Sequence, residues 1–117
     1  MEKIKQFEDI LSWQKAKLLS IQIYQVFSNS KDYSFKDQIQ RASVSIMNNI
    51  AEGYERSADK QFSHFLYIAK GSAAEVRSML YLARDLKIIN TPTFETLYNE
   101  TLSISKLLSG LIKKMIH

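Results

Sequence analysis

At 117 residues with 45% hydrophobic side chains, the chain fits one domain (1–117) and can bury a sizeable core. One proline and three glycines leave little turn chemistry, which argues against many short strands and for a few long helices. The absence of cysteine excludes disulfides and thiolate metal sites, while a net charge of +4 and a pI near 9.3 tilt the chain towards acidic partners, RNA or DNA first.

The opening Met1-Glu2-Lys3-Ile4-Lys5-Gln6 lacks the apolar run of a secretory signal. No apolar stretch approaches the roughly 18 residues that cross a bilayer, so a cytoplasmic protein with no membrane partner is expected. The first helix is expected from Ile10 to Phe27, with Trp13, Ala16, Leu19, Ile23 and Val26 at helical spacing. Ser28-Asn29-Ser30-Lys31-Asp32 ends it. Ser34, with Asp37 three residues on, resembles a capping box and opens a second helix running to about Arg56. Ser57-Ala58-Asp59 offers a break and a new N-cap. The third helix then continues to about Leu86 on a stripe of Phe62, Phe65, Ala69, Ala73, Val76, Leu80 and Ala83. Asn90-Thr91-Pro92 starts the fourth, with Thr91 as N-cap and Pro92 in the first helical position. Phe94, Leu97, Ile104, Leu108, Leu111 and Met115 carry it to the C-terminus, where Lys113, Lys114 and His117 suit the negative end of the helix dipole. Short connections make sequential helices antiparallel neighbours. The expected fold is all-α, an antiparallel up-and-down four-helix bundle.

All three glycines fall inside expected helices, where each costs about 1 kcal/mol against alanine. They mark tolerated drift, a helix end at Gly53, or places where another helix approaches closely, a reading that suits Gly53 and Gly71 best. On the second helix, Phe35, Ile39, Ala42, Ile46, Ile50 and Gly53 form one stripe, and Gln38, Arg41, Ser45, Asn49, Glu52 and Arg56 form another beside it. Arg41 and Glu52 are too far apart to pair with each other, so each needs a partner elsewhere. The polar stripe is either a packing network between helices or subunits, or the lining of a binding site. Val44, Met47 and Ala51 add apolar surface, which argues for a homo-oligomer.

On the third helix, Tyr67, Lys70, Arg77, Tyr81 and Arg84 share a face beside the core stripe, with Lys60 and Lys87 as possible extensions. Lysines and arginines there would meet phosphates while tyrosines stack on unpaired bases. Equally, the face could be solvated, or its tyrosines could pack on a neighbouring subunit. Catalysis finds no motif: His64 stands alone, and Glu-x-x-His, the Arg-x-x-x-x-His of bundle-type ribonucleases and a Gly-rich phosphate loop are all missing. No enzyme activity, metal or cofactor is expected.

The run Gln38-Ile39-x-Arg41-Ala42-x-x-Ser45-Ile46-x-x-Asn49-Ile50-Ala51-Glu52-Gly53 resembles the central motif of the four-helix-bundle proteins encoded in intervening sequences of bacterial 23S ribosomal RNA genes. Trp13-Gln14-Lys15-Ala16, then Phe62, Phe65, Leu66, Ala69, Gly71 and Ser72, and Glu75 after them, extend the likeness over nearly the whole chain. The resemblance implies an antiparallel bundle assembling into a ring, typically a homopentamer, without known catalytic activity. The accessory protein of diversity-generating retroelements is similar to this family; it partners a reverse transcriptase and binds nucleic acid through a basic surface. Two functions follow as expectations: an RNA- or nucleoprotein-binding scaffold, or a protein-binding ring that serves a reverse transcriptase. Gln38, Arg41, Ser45, Asn49, Glu52, Gly53, Gly71 and Ser72 are expected to serve packing and assembly.

Overall fold

The spacings of apolar residues become four helices in the computed structural model, which describes residues 4–115; His117 lies outside them. A 3-10 turn (Phe7–Asp9) leads into α1 (Leu11–Val26), followed by α2 (Tyr33–Tyr54), α3 (Asp59–Asp85) and α4 (Thr91–Met115). Among the described residues there is no strand, and no helix is long and apolar enough to cross a membrane.

Three boundaries differ from expectation, each for a local reason. α2 is capped by Asp32, whose Oδ1 accepts the Phe35 N–H at 3.1 Å, not by Ser34. A carboxylate two residues upstream is at least as good an acceptor for the first-turn amides as a hydroxyl. Asp37 is thereby released from the expected box and pairs with Arg41 at 2.9 Å. At α4 the cap is Asn90, whose Oδ1 accepts the Thr93 N–H at 2.8 Å; Thr91 is already helical, and Pro92 sits where its missing N–H would have no helical partner. The break before α3 falls as expected, but Ala58 stands at the N-cap without a side-chain bond.

The C-terminus of α3 closes as a Schellman turn. Ile88 N–H reaches the Ala83 carbonyl at 2.8 Å and Lys87 N–H the Arg84 carbonyl at 3.0 Å, with Lys87 at φ 60°. That position usually belongs to glycine, because a Cβ is strained there.

Residue pairs across the seams run in opposite directions: Gly53 meets Phe65, Ser45 meets Ser72, and Gln38 meets Glu75 between α2 and α3. Tyr81 meets Phe94 and Tyr98 between α3 and α4, and Gln22 bonds Glu100 between α1 and α4. The helices thus form an antiparallel bundle, 44 × 22 × 20 Å. Its centre is filled by Leu19, Ile23, Ile39, Ile46, Ile50, Leu66, Val76, Leu80, Ile104 and Leu108, all sealed from solvent.

The whole α2 stripe from Phe35 to Gly53 is buried as expected. Elsewhere the stripes shift by a residue. Val26 is exposed and Phe27 takes its place in the core; Phe65 is half-buried and Leu66 is inside. Leu111 and Met115 only flank the core, in which Ile112 and Thr101 are buried; Trp13 also flanks it, ring edge to Phe7 at 5.2 Å. On α2, Met47 packs partly against the core, and Val44, Met47 and Ala51 are all half-buried. Large exposed aliphatic side chains are found on α1 (Leu11, Leu18, Ile21), on α3 (Ile68, Leu82) and at the α3 C-cap (Leu86).

Candidate nucleic-acid interface

Two edges of α3 carry the residues singled out in the sequence. The α2-facing edge is held by short groups. A Cβ built on Gly53 would lie 2.6 Å from Phe65 Cβ and 3.1 Å from a Phe62 ring carbon, so only glycine lets the two helices come this close. The close approach expected at Gly71 does not occur within the chain, since a Cβ there meets nothing within 4 Å.

Along the same seam, the Ser45 and Ser72 hydroxyls lie 2.8 Å apart, and Asn49 Nδ2 donates to both the Ser45 carbonyl (2.8 Å) and its Oγ (3.0 Å). Gln38 Nε2 donates weakly to Glu75 at 3.4 Å. Arg41 and Glu52 find partners close in sequence: Asp37 one turn before on α2 and Arg56 just past its end, each at 2.9 Å. Both pairs are exposed, so neither adds much stability. Arg56 also lies over the Phe65 ring at 5.0 Å, covering the point where Gly53 and Phe65 meet.

The other edge of α3 faces α4 and solvent, and the structure divides the expected basic strip in two. Its C-terminal half packs against α4, although Tyr81 is still 43% exposed. Tyr81 meets Phe94 with rings tilted (5.2 Å) and Tyr98 edge to face (5.4 Å), and the Arg84 guanidinium lies over Phe94 at 4.6 Å and Tyr81 at 5.2 Å while pairing with Asp85 at 3.0 Å. Hydrogen bonding to Tyr98 raises the Tyr81 pKa above the ordinary tyrosine value, helped by desolvation and only partly countered by Arg84 and Arg77. Phe94 and Tyr98 were missed as site residues. Their signal was present, one turn apart on the fourth helix where aromatic side chains share a face.

The N-terminal half is open. Tyr67 is 53% exposed, Lys60 is exposed, and Lys70 is half-buried. Arg77 is half-buried with its Nη1 enclosed and lacking an acceptor. None of Lys60, Lys70, Arg77 and Lys87 forms an ion pair among the described residues, whereas Arg41, Arg56 and Arg84 all do. Lys87 does not continue the line, since it sits in the left-handed turn beyond the helix. His64 is exposed, edge-on to Phe65 at 5.6 Å. Among the described residues, no group of three His, Cys, Asp or Glu side chains could hold a metal.

Residues 8–110 match the family model of the 23S rRNA-intervening sequence protein. A crystal structure of a protein of unknown function from the S23 ribosomal protein family of Bacteroides thetaiotaomicron VPI-5482 is similar, with a TM-score of 0.83 and 28% sequence identity. That likeness covers 88% of this chain and 99% of the other. No curated protein matches the chain.

Proposed function

The chain belongs to the 23S rRNA-intervening sequence protein family, and from that premise we propose that it is a non-enzymatic, cytoplasmic scaffold that binds RNA. The carrying observation is the N-terminal part of the α3 strip, where the exposed Tyr67 and the cations Lys70 and Arg77, which form no ion pair, follow one edge of the helix. Unpaired cations on one helix face attract a phosphate backbone and release its counterions, while an exposed tyrosine offers a stacking surface to an unpaired base. Tyr81 and Arg84 are committed to α4 and contribute field more than contact.

The scaffold acts as an assembly of copies of itself, with the homopentamer of the family resemblance as the expected form. The exposed Ile68 and Leu82 on α3, Leu86 at its C-cap, and Leu11, Leu18 and Ile21 on α1 supply apolar surface for such contacts. Light scattering at micromolar concentration should return a multiple of the 13.6 kDa chain mass; a monomer would remove the ring from the proposal. The same apolar side chains favour the second reading, a ring whose partner is a protein such as a reverse transcriptase.

RNA binding is tested by fluorescence anisotropy with a single-stranded oligonucleotide at low and near-physiological salt. The expected result is salt-sensitive binding that weakens in Tyr67→Ala/Lys70→Gln. Undetectable affinity at low salt would leave the protein-binding ring as the better account.

A further inference from the structure

Two outward faces of the bundle share one spacing. On α1, the exposed Leu11, Leu18 and Gln25 stand seven residues apart, with the exposed Ile21 beside them. On α3, Ile68, Glu75 and Leu82 repeat at the same interval, with Gly71 and Ser78 between them, all exposed. A seven-residue repeat keeps one seam of a helix turned towards a partner helix, here over about 21 Å on each face.

The two faces look out from opposite sides of the molecule. α1 and α3 each pack on α2 and α4, so they stand on a diagonal of the bundle. The α1 face leans towards α4, with which it forms a groove of about 390 Å³ lined by Leu18, Ile21, Asn99 and Ser103. The α3 face leans towards α2, where Glu75 accepts from Gln38 at 3.4 Å.

Their charges are opposite as well. The α1–α4 side is lined by Lys5, Lys15, Lys106 and Lys114 against Asp9 and Glu100, and Glu100 already accepts from Gln22 Nε2 at 3.2 Å. Glu75 is the one ionised side chain on the α3 line. Neither it nor Lys15 forms an ion pair among the described residues. A Cβ at Gly71 would meet nothing within 4 Å, so that position has room for a side chain arriving from outside.

We infer that the groove between α1 and α4 of one copy receives the α3 face of a second copy. Leu18 and Ile21 meet Ile68, Gly71 and Leu82, and Lys15 stands beside Glu75. The contact joins two different surfaces on opposite sides of the chain. Each copy therefore keeps a free groove and a free α3 face, and the contact repeats until it closes a ring or runs on as a fibre. Pairing two α1–α4 faces would instead set Lys15 and Lys106 against their own copies, where like charges repel. Lys70 and Arg77, on the α4 side of α3, stay outside the contact. This pairing rests on the self-assembly proposed above and adds to it the two surfaces that join.

The test is sedimentation equilibrium on the full chain, on Leu18→Asp and on Leu82→Asp. These leucines are 59% and 49% exposed, so the bundle should keep its helicity by circular dichroism in both variants. The unaltered chain should return a multiple of 13.6 kDa, and each variant alone a monomer, its self-affinity lower by about a hundredfold or more. Mixed one to one, the two variants should give a dimer and nothing larger, because one intact groove and one intact α3 face remain between them. Lys15→Glu and Glu75→Lys should each weaken association about tenfold, and the double charge swap should restore it. An unaltered chain that stays monomeric would overturn the assembly and its interface together. Assembly that persists in either aspartate variant, or a mixture that stays monomeric or grows past a dimer, would overturn this interface alone.

Discussion

Along its α2 side, α3 presents Phe65 and Ser72 to Gly53 and Ser45; along its α4 side, it presents Tyr81 and Arg84 to Phe94 and Tyr98. The first seam is made by removing bulk. A glycine admits a ring, and two hydroxyls and an amide satisfy one another where there is no room for longer groups. The second is made by adding bulk, with three aromatic rings and a guanidinium layered at 4.6 to 5.4 Å. A seam built by subtraction has a single acceptable residue at its tightest point, whereas aromatic layers can shift to absorb change. Of the run from Gln38 to Gly53, Ser45, Asn49 and Gly53 thus lie in the tight seam, and Lys70 and Arg77, which form no ion pair among the described residues, stand on the other edge.

The difference between the seams is tested most severely at Gly53. Gly53→Val should lose about 2–3 kcal/mol, because its branched side chain must displace Phe65 at the Cβ and not at a flexible end. Urea denaturation measures this. A loss below about 1 kcal/mol would mean that the α2–α3 seam is as adaptable as the other. Ser72→Ala should cost about 1 kcal/mol by taking one hydroxyl from the Ser45–Asn49 group. In the opposite direction, Lys87→Gly should gain about 1 kcal/mol by relieving the left-handed backbone. Arg84→Gln removes the guanidinium over two rings and should cost about 0.5–1 kcal/mol, less than the loss at Gly53, if the aromatic layer repacks.

Much of this architecture was legible because large apolar residues recur along α2 at Phe35, Ile39, Ile46 and Ile50 with no competing register. Where two apolar residues are adjacent, periodicity cannot choose between them. Phe65 and Leu66 both fit a core stripe, and the close approach at Gly53 turns Leu66 inward. Val26 and Phe27 present the same ambiguity at the end of α1. The caps were misplaced because Asp32 and Asn90 are equal or better acceptors lying just upstream of the residues expected to act.

For the candidate interface, helical spacing alone put Tyr67, Lys70, Arg77, Tyr81 and Arg84 on one face. It could not reveal that Tyr81 and Arg84 are spent on α4, because that depends on where Phe94 and Tyr98 land once the helices pack.

If the two edges of α3 do different work, the salt dependence of RNA affinity reads that most directly. Affinity should be compared across salt for the unaltered protein, for Ser72→Ala on the seam, and for Tyr67→Ala/Lys70→Gln on the open face. The open-face variant should keep its stability within about 0.5 kcal/mol and bind more weakly. Its salt slope should be shallower, by about 0.7 for each phosphate that a chain no longer neutralises, while Ser72→Ala binds as the unaltered protein does. Equal affinity and equal slope in all three proteins would contradict this division of work.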